Sequence, residues 1–177
     1  MSSSARRRRT RTLRTGLTMI ALGSLALGCV GMGSLTSSSR SLRLTDLGDA
    51  GDPARRASMR LCIEGLNLDE LGRDSAALSQ YQRAIQVDST NPYAYLALAR
   101  HEIDEGDPDR ALAYVDQAEA LLGAQAALGP GVEAHVSGLR GAALMARGGS
   151  GELHLDRARR LDPHSWGDGH LDAAELR

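Results

Sequence analysis

The sequence predicts an all-α fold: a short helix-turn-helix solenoid of about three repeats with a C-terminal capping helix, preceded by a signal or anchor segment and a flexible linker. Three observations carry this. The chain resembles itself at a shift of 34 residues, small residues fall at matching places in the two copies, and Gly and Pro stand where helices would stop and start. Its 177 residues suffice for one domain plus appendages.

Residues 58–91 read SMRLCIEGLNLDELGRDSAALSQYQRAIQVDSTN, and residues 92–125 read PYAYLALARHEIDEGDPDRALAYVDQAEALLGAQ. In that register Leu61 meets Tyr95, Gly65 meets Ala99, Gly72 meets Gly106, Ala77 meets Ala111, Leu78 meets Leu112, Tyr81 meets Val115 and Ala84 meets Ala118. Gly72 and Gly106 stand at corresponding places in the two copies, where a helix would end. Gly suits the break because the residue past a last helical turn takes a left-handed backbone. Pro92 opens the next helix at a position whose N–H would be unpaired anyway.

This pattern resembles the tetratricopeptide-repeat (TPR) family. The resemblance implies that Gly65 and Ala99 are small where the two helices of a unit cross, and that Ala77 and Ala111 pack on the first helix. Ala84 and Ala118 would meet the next unit, with Leu61, Tyr81, Tyr95 and Val115 filling the layers between. Asp88 would begin the turn to the second unit, although Ser89 stands where the family usually has Pro. A degenerate third unit follows an insert at 123–131: a helix over 132–147, a break at Gly148, Gly149, Ser150 and Gly151, and a shorter helix over 152–161 closed by Asp162 and Pro163. Gly141 and Ala158 are the small residues of that unit. The repeat domain then spans 57–163, with repeats at 58–91, 92–125 and 132–163. Residues 164–177 would be the cap, with Asp168 as N-cap of a helix over 169–176, because a bare solenoid end exposes its apolar face.

The N-terminus reads as an address. Six Arg (Arg6, Arg7, Arg8, Arg9, Arg11 and Arg14) precede an apolar run of 13 residues, 16–28, which is signal-peptide length. The segment Leu25-Ala26-Leu27-Gly28-Cys29 resembles a bacterial lipoprotein lipobox, with Ala26 where Leu is usual. That resemblance implies diacylglycerol on the Cys29 thiol and cleavage after residue 28. Val30, rather than Asp, after the cysteine favours the outer membrane. The alternative is an uncleaved anchor in the inner membrane, since 25 consecutive positions, 15–39, carry no charge. Either way the basic flank stays cytoplasmic and the body lies on the extracytoplasmic side of the cell envelope. Residues 29–56, small and turn-forming, read as a flexible tether.

Charge is segregated. All 21 basic residues are Arg; beyond residue 28 the body holds 15 of them against 22 acids, which is no footprint for nucleic acid. The five histidines, His101, His135, His154, His164 and His170, show no metal-binding spacing and read as solvated surface residues. Residues 168–175 look like the latter half of a calcium loop, but His164 and Trp166 stand where the first two oxygen ligands would. No phosphate loop or nucleophile motif occurs, Cys62 reads as a small hydrophobe, and no catalysis, cofactor or metal is expected.

The TPR resemblance further implies a groove formed by the first helix of each unit. Its side chains would be Met59, Cys62, Leu66, Asp69 and Glu70 from unit one and Tyr93, Leu96, Arg100, Ile103 and Asp104 from unit two. The expected partner is a protein or peptide segment of the envelope. The expected roles are a scaffold assisting assembly of an envelope complex, or a non-catalytic accessory subunit of an envelope enzyme such as a peptidoglycan-modifying one. If Cys29 is the lipid site, Cys29→Ala abolishes labelling by a fatty-acid analogue and releases the body from membranes. Unchanged labelling would overturn the lipoprotein assignment.

Overall fold

The computed structural model describes residues 41–177; Cys29 and the whole signal segment lie outside them. The described chain is all-helical and repeat-like: α1 (Leu44–Leu47), α2 (Pro53–Glu70), α3 (Asp74–Val87), α4 (Pro92–Asp104), α5 (Pro108–Ala124), α6 (Pro130–Ala146), α7 (Glu152–Leu161), α8 (Pro163–Trp166) and α9 (Ala173–Leu176). None of these helices is long and apolar enough to cross a membrane. Consecutive helices pack in three pairs, α2 with α3, α4 with α5 and α6 with α7, and the first helices α2, α4 and α6 lie side by side.

Local chemistry sets the boundaries. Asp52, Asn91 and Asp107 each precede a proline, and their side chains accept from the backbone N–H of Arg55 (2.9 Å), Tyr93 (3.1 Å) and Arg110 (3.1 Å). Each such cap contributes about 0.5–2 kcal/mol, and the proline supplies a helical φ with no donor to satisfy. Gly72 and Gly106 break the first two pairs at φ +66° and +79° with open space around them, so backbone conformation and not crowding selects glycine there.

Ala84, Ala118 and Ala158 are all fully buried. Beside Ala84 runs a polar thread: Ser58 Oγ donates to the Ala84 carbonyl (2.8 Å), and the buried Asn91 amide donates to Ser58 Oγ (2.9 Å). One residue thus caps α4 and ties it to α2 and, through Ser58, to α3.

Three boundaries differ from those the sequence suggests. First, α2 begins at Pro53, not at 58, because Asp52-Pro53 is a cap followed by a first helical turn and not a turn in a tether. Second, residues 41–52 are not a free linker. Leu44 is fully buried, and Thr45 N–H donates to the Arg177 carbonyl at 2.8 Å. Third, the last helix is Ala173–Leu176 alone. Gly169 sits at φ +89° and cannot join it, Asp168 turns back to accept from His170 N–H (3.0 Å), and the cap is Asp172, paired reciprocally with Glu175.

Ala84 has no room to grow. Ala84→Leu should cost about 1–3 kcal/mol by overpacking, lowering the melting temperature by several degrees in a thermal unfolding scan. An unchanged melting temperature would mean that the α3–α4 joint is loose.

Candidate functional site

The side-by-side helices α2 and α4 carry the ten groove positions, yet most are closed off. Met59, Cys62, Leu66, Leu96 and Arg100 are buried, and the Asp69 side chain is only 5% exposed. Glu70 and Asp104 reach solvent, while Tyr93 and Ile103 are half-buried. The expectation of an open groove is therefore corrected: two flanking segments of the chain cover it.

The cover is made of two segments. Residues 163–177 contribute Trp166, Leu171 and Leu176, each at most 2% exposed. Trp166 fills a socket over α6 that exists only because residue 138 is glycine; a Cβ there would lie 2.2 Å from the indole. Leu171 lies with Arg100, Ile103 and Leu139 around a gap of about 10 Å³, room for one water at most. α9 packs on α2, and Arg177 pairs with Glu70 and donates to Asn67 (2.7 Å). The second segment, 41–47, is held by Ser41 Oγ donating to Asp162 (2.9 Å) and by His135 against the Leu42 carbonyl (3.0 Å).

Beneath the cover lies a polar cluster. Asp69 on α2 receives Arg100, Tyr81 OH (2.8 Å) and His101 Nδ1 (3.0 Å), and Arg100 also donates to Asp104 (2.6 Å). Burial alone would raise the Asp69 carboxyl, but the His101 hydrogen bond, the Arg100 charge and the Tyr81 hydroxyl outweigh it and hold it below the usual carboxylate range. Burial likewise pushes His101 down, yet its bond to Asp69 and that carboxylate's charge push it up further, so its net shift is upward. Tyr81 is driven far up, first by burial and then by Asp69. The cluster spans α2, α3 and α4 and joins the first two helix pairs.

Arg100, Tyr81 and His101 all donate to Asp69 and a second arm of Arg100 goes to Asp104, which is the arrangement of a structural joint, with Arg100 Nε buried and without a hydrogen-bond partner. Cys62 is equally inert: burial pushes its thiol up to about 12, so it stays protonated at neutral pH. Asp168 and Glu175, the carboxylates of the calcium-like segment, are engaged in local turns with His170 and Asp172.

Two histidines read as solvated are in fact buried, His101 in the cluster and His135 between the two covering segments. His135 Nδ1 accepts from Trp166 Nε1 (3.1 Å). A single Trp in a chain without Phe was the available sequence signal that residues 164–177 bury something large. What remains open is the rim at the N-terminal end of α4. Tyr93 and Leu47 line two adjoining hollows of about 170 and 350 Å³, with Met59 and Arg55 in one and Ala127 and Val132 in the other.

Removing Arg100 would strand part of a buried carboxylate's compensation. Arg100→Ala should destabilise the fold by about 3–5 kcal/mol in urea unfolding, and a loss under about 0.5 kcal/mol would show that His101 and Tyr81 suffice. No family model, curated protein or solved structure matches this chain.

Proposed function

We propose that this chain is a membrane-anchored TPR-type protein of the cell envelope that binds another protein and catalyses nothing itself. One observation supports this most: the helix pairs recur with the sequence period of 34, with Gly72 and Gly106 in the same left-handed conformation and Ala84 and Ala118 both fully buried at corresponding places. Repeats that stack in this way build extended surfaces, not enclosed reaction chambers. The buried charged groups support the same assignment, since Asp69, Arg100 and His101 are committed to one another.

The partner meets the protein at the rim left open by the cover. Tyr93 is a half-buried groove residue that lines both hollows, and it combines a broad apolar ring with a hydroxyl, the chemistry most enriched at binding hot spots. A peptide segment of an envelope protein, laid along the Leu47–Tyr93 hollows, would bury apolar side chains there.

Co-purification from detergent-solubilised membranes tests this, with Tyr93→Ala as the paired variant. The expected result is a stoichiometric partner with the native chain, lost with Tyr93→Ala while the melting temperature changes by no more than a few degrees. A partner retained by the folded variant would move the contact elsewhere, and no partner at all would sink the proposal.

A further inference from the structure

His135 is fully buried and engaged at both ring nitrogens by groups of opposite kind. The Trp166 indole N–H only donates, so Nδ1, 3.1 Å away, must accept. The proton then sits on Nε2 and is donated to the Leu42 carbonyl at 3.0 Å. The geometry thus specifies the neutral imidazole in one tautomer. It also makes one ring the shared bolt between both segments that cover α2, α4 and α6.

We propose that His135 is a proton-operated latch: neutral, it holds the segment 163–177 over the inner face of the first helices, and on taking a proton at Nδ1 it lets that segment go.

A solvent proton added to Nδ1 sets N–H against N–H across the Trp166 contact, and the indole has no lone pair to offer in return. The Nε2–H bond to Leu42 survives protonation and gains charge assistance. The element released is therefore the Trp166-bearing segment and not the strap at 41–47. Asp162 is the charged group whose field reaches the ring. Its Oδ1 accepts from Ser41 Oγ and from the backbone of His164 and Ser165, while its Oδ2 is buried without a hydrogen-bond partner. Asp162 thus keeps capacity to accept one more hydrogen bond.

The direction follows from the surroundings. Burial depresses the affinity of His135 for a proton, and the Leu42 carbonyl and Asp162 restore only part of it, so its net shift is downward. The latched state is then fully favoured above the ordinary histidine value of about 6.5 and loses ground as pH falls from there towards the lowered one. Between the two values the released population gains about tenfold per pH unit for one proton. His101 shifts the other way and stays protonated more readily in the fold, so the same acidification strengthens the Asp69 joint. Acid therefore loosens the cover while the helix pairs hold.

Trp166 is the sole tryptophan of the chain and reports on the latch directly. The emission wavelength of the full chain is followed from about pH 8 to pH 5 beside far-UV circular dichroism; wavelength is read because imidazolium quenches indole in place. The expected result is a shift to longer wavelength with a midpoint below about 6.5, at constant helicity, kept in His101→Gln and absent in His135→Gln. Emission unchanged to pH 5, emission moving only together with loss of helicity, or the same transition in folded His135→Gln would each overturn the latch. If His135→Gln does not fold, the titrations of the native chain and of His101→Gln still decide.

Discussion

Everything in this fold depends on covering the inner face of α2, α4 and α6. Three helix pairs stacked in a row bury each other's flanks but leave the first helices with an apolar side and no neighbour. Met59, Cys62, Leu66 and Leu96, the apolar residues expected to line that side, are all buried. A longer array spreads such a face into a groove; here the segments flanking the helix pairs fold over it. Burying Trp166, Leu44, Leu171 and Leu176 contributes roughly 1.5–3 kcal/mol per side chain, a large fraction of the net stability of a domain this size.

The charges beneath the cover follow from the same constraint. A carboxylate at Asp69 would be costly in a closed interface unless paired, and a buried pair is favourable only when its remaining hydrogen-bonding capacity is met. Arg100, His101 and Tyr81 meet that of the carboxylate from two different helices, while Arg100 Nε is left without a hydrogen-bond partner. The cluster is consequently direction-giving: it accepts only the registry of α2 against α4 that brings the four groups together. Glu102 shows the contrast. It is buried with Oε1 lacking a hydrogen bond, and the half-exposed Arg110 at 3.1 Å and His101 offset only part of the burial that pushes its carboxyl upward.

The sequence disclosed the helices better than it disclosed what lies on them. Period and punctuation are local, so the breaks at Gly72 and Gly106 and the helix over 152–161 were legible from spacing alone. The start of α2 was missed because Asp52-Pro53 reads equally as a loop turn and as a cap with its first helical residue. The cover was missed for a different reason. Nothing local in residues 41–47 says that Leu44 will be buried; the hydrogen bonds that hold the segment reach Asp162 and His135, about a hundred residues away, and so short a segment carries no periodic signal. His135 illustrates the limit. A lone histidine carries no spacing signal, and its role appears only when Leu42 and Trp166 arrive from opposite ends of the chain.

A self-covered face changes what a partner has to supply. The segment 163–177 is tethered to the surface it covers, so it competes at an effective concentration on the order of millimolar. A partner that needs the inner face binds only the fraction of molecules whose segment is away. If that fraction is about one in a hundred, the apparent affinity falls about a hundredfold relative to the intrinsic one. A partner at the Tyr93 rim escapes this penalty, because Tyr93 and Leu47 are accessible with the cover in place. The two surfaces are nonetheless linked. Leu47 belongs to the strap, the strap meets Arg177 through Thr45, and Arg177 ends the segment that Trp166 begins to anchor. A ligand that fixes Leu47 at the rim therefore favours the closed cover, and a proton on His135 that frees the cover weakens the rim, since each equilibrium must act on the other by the same free energy.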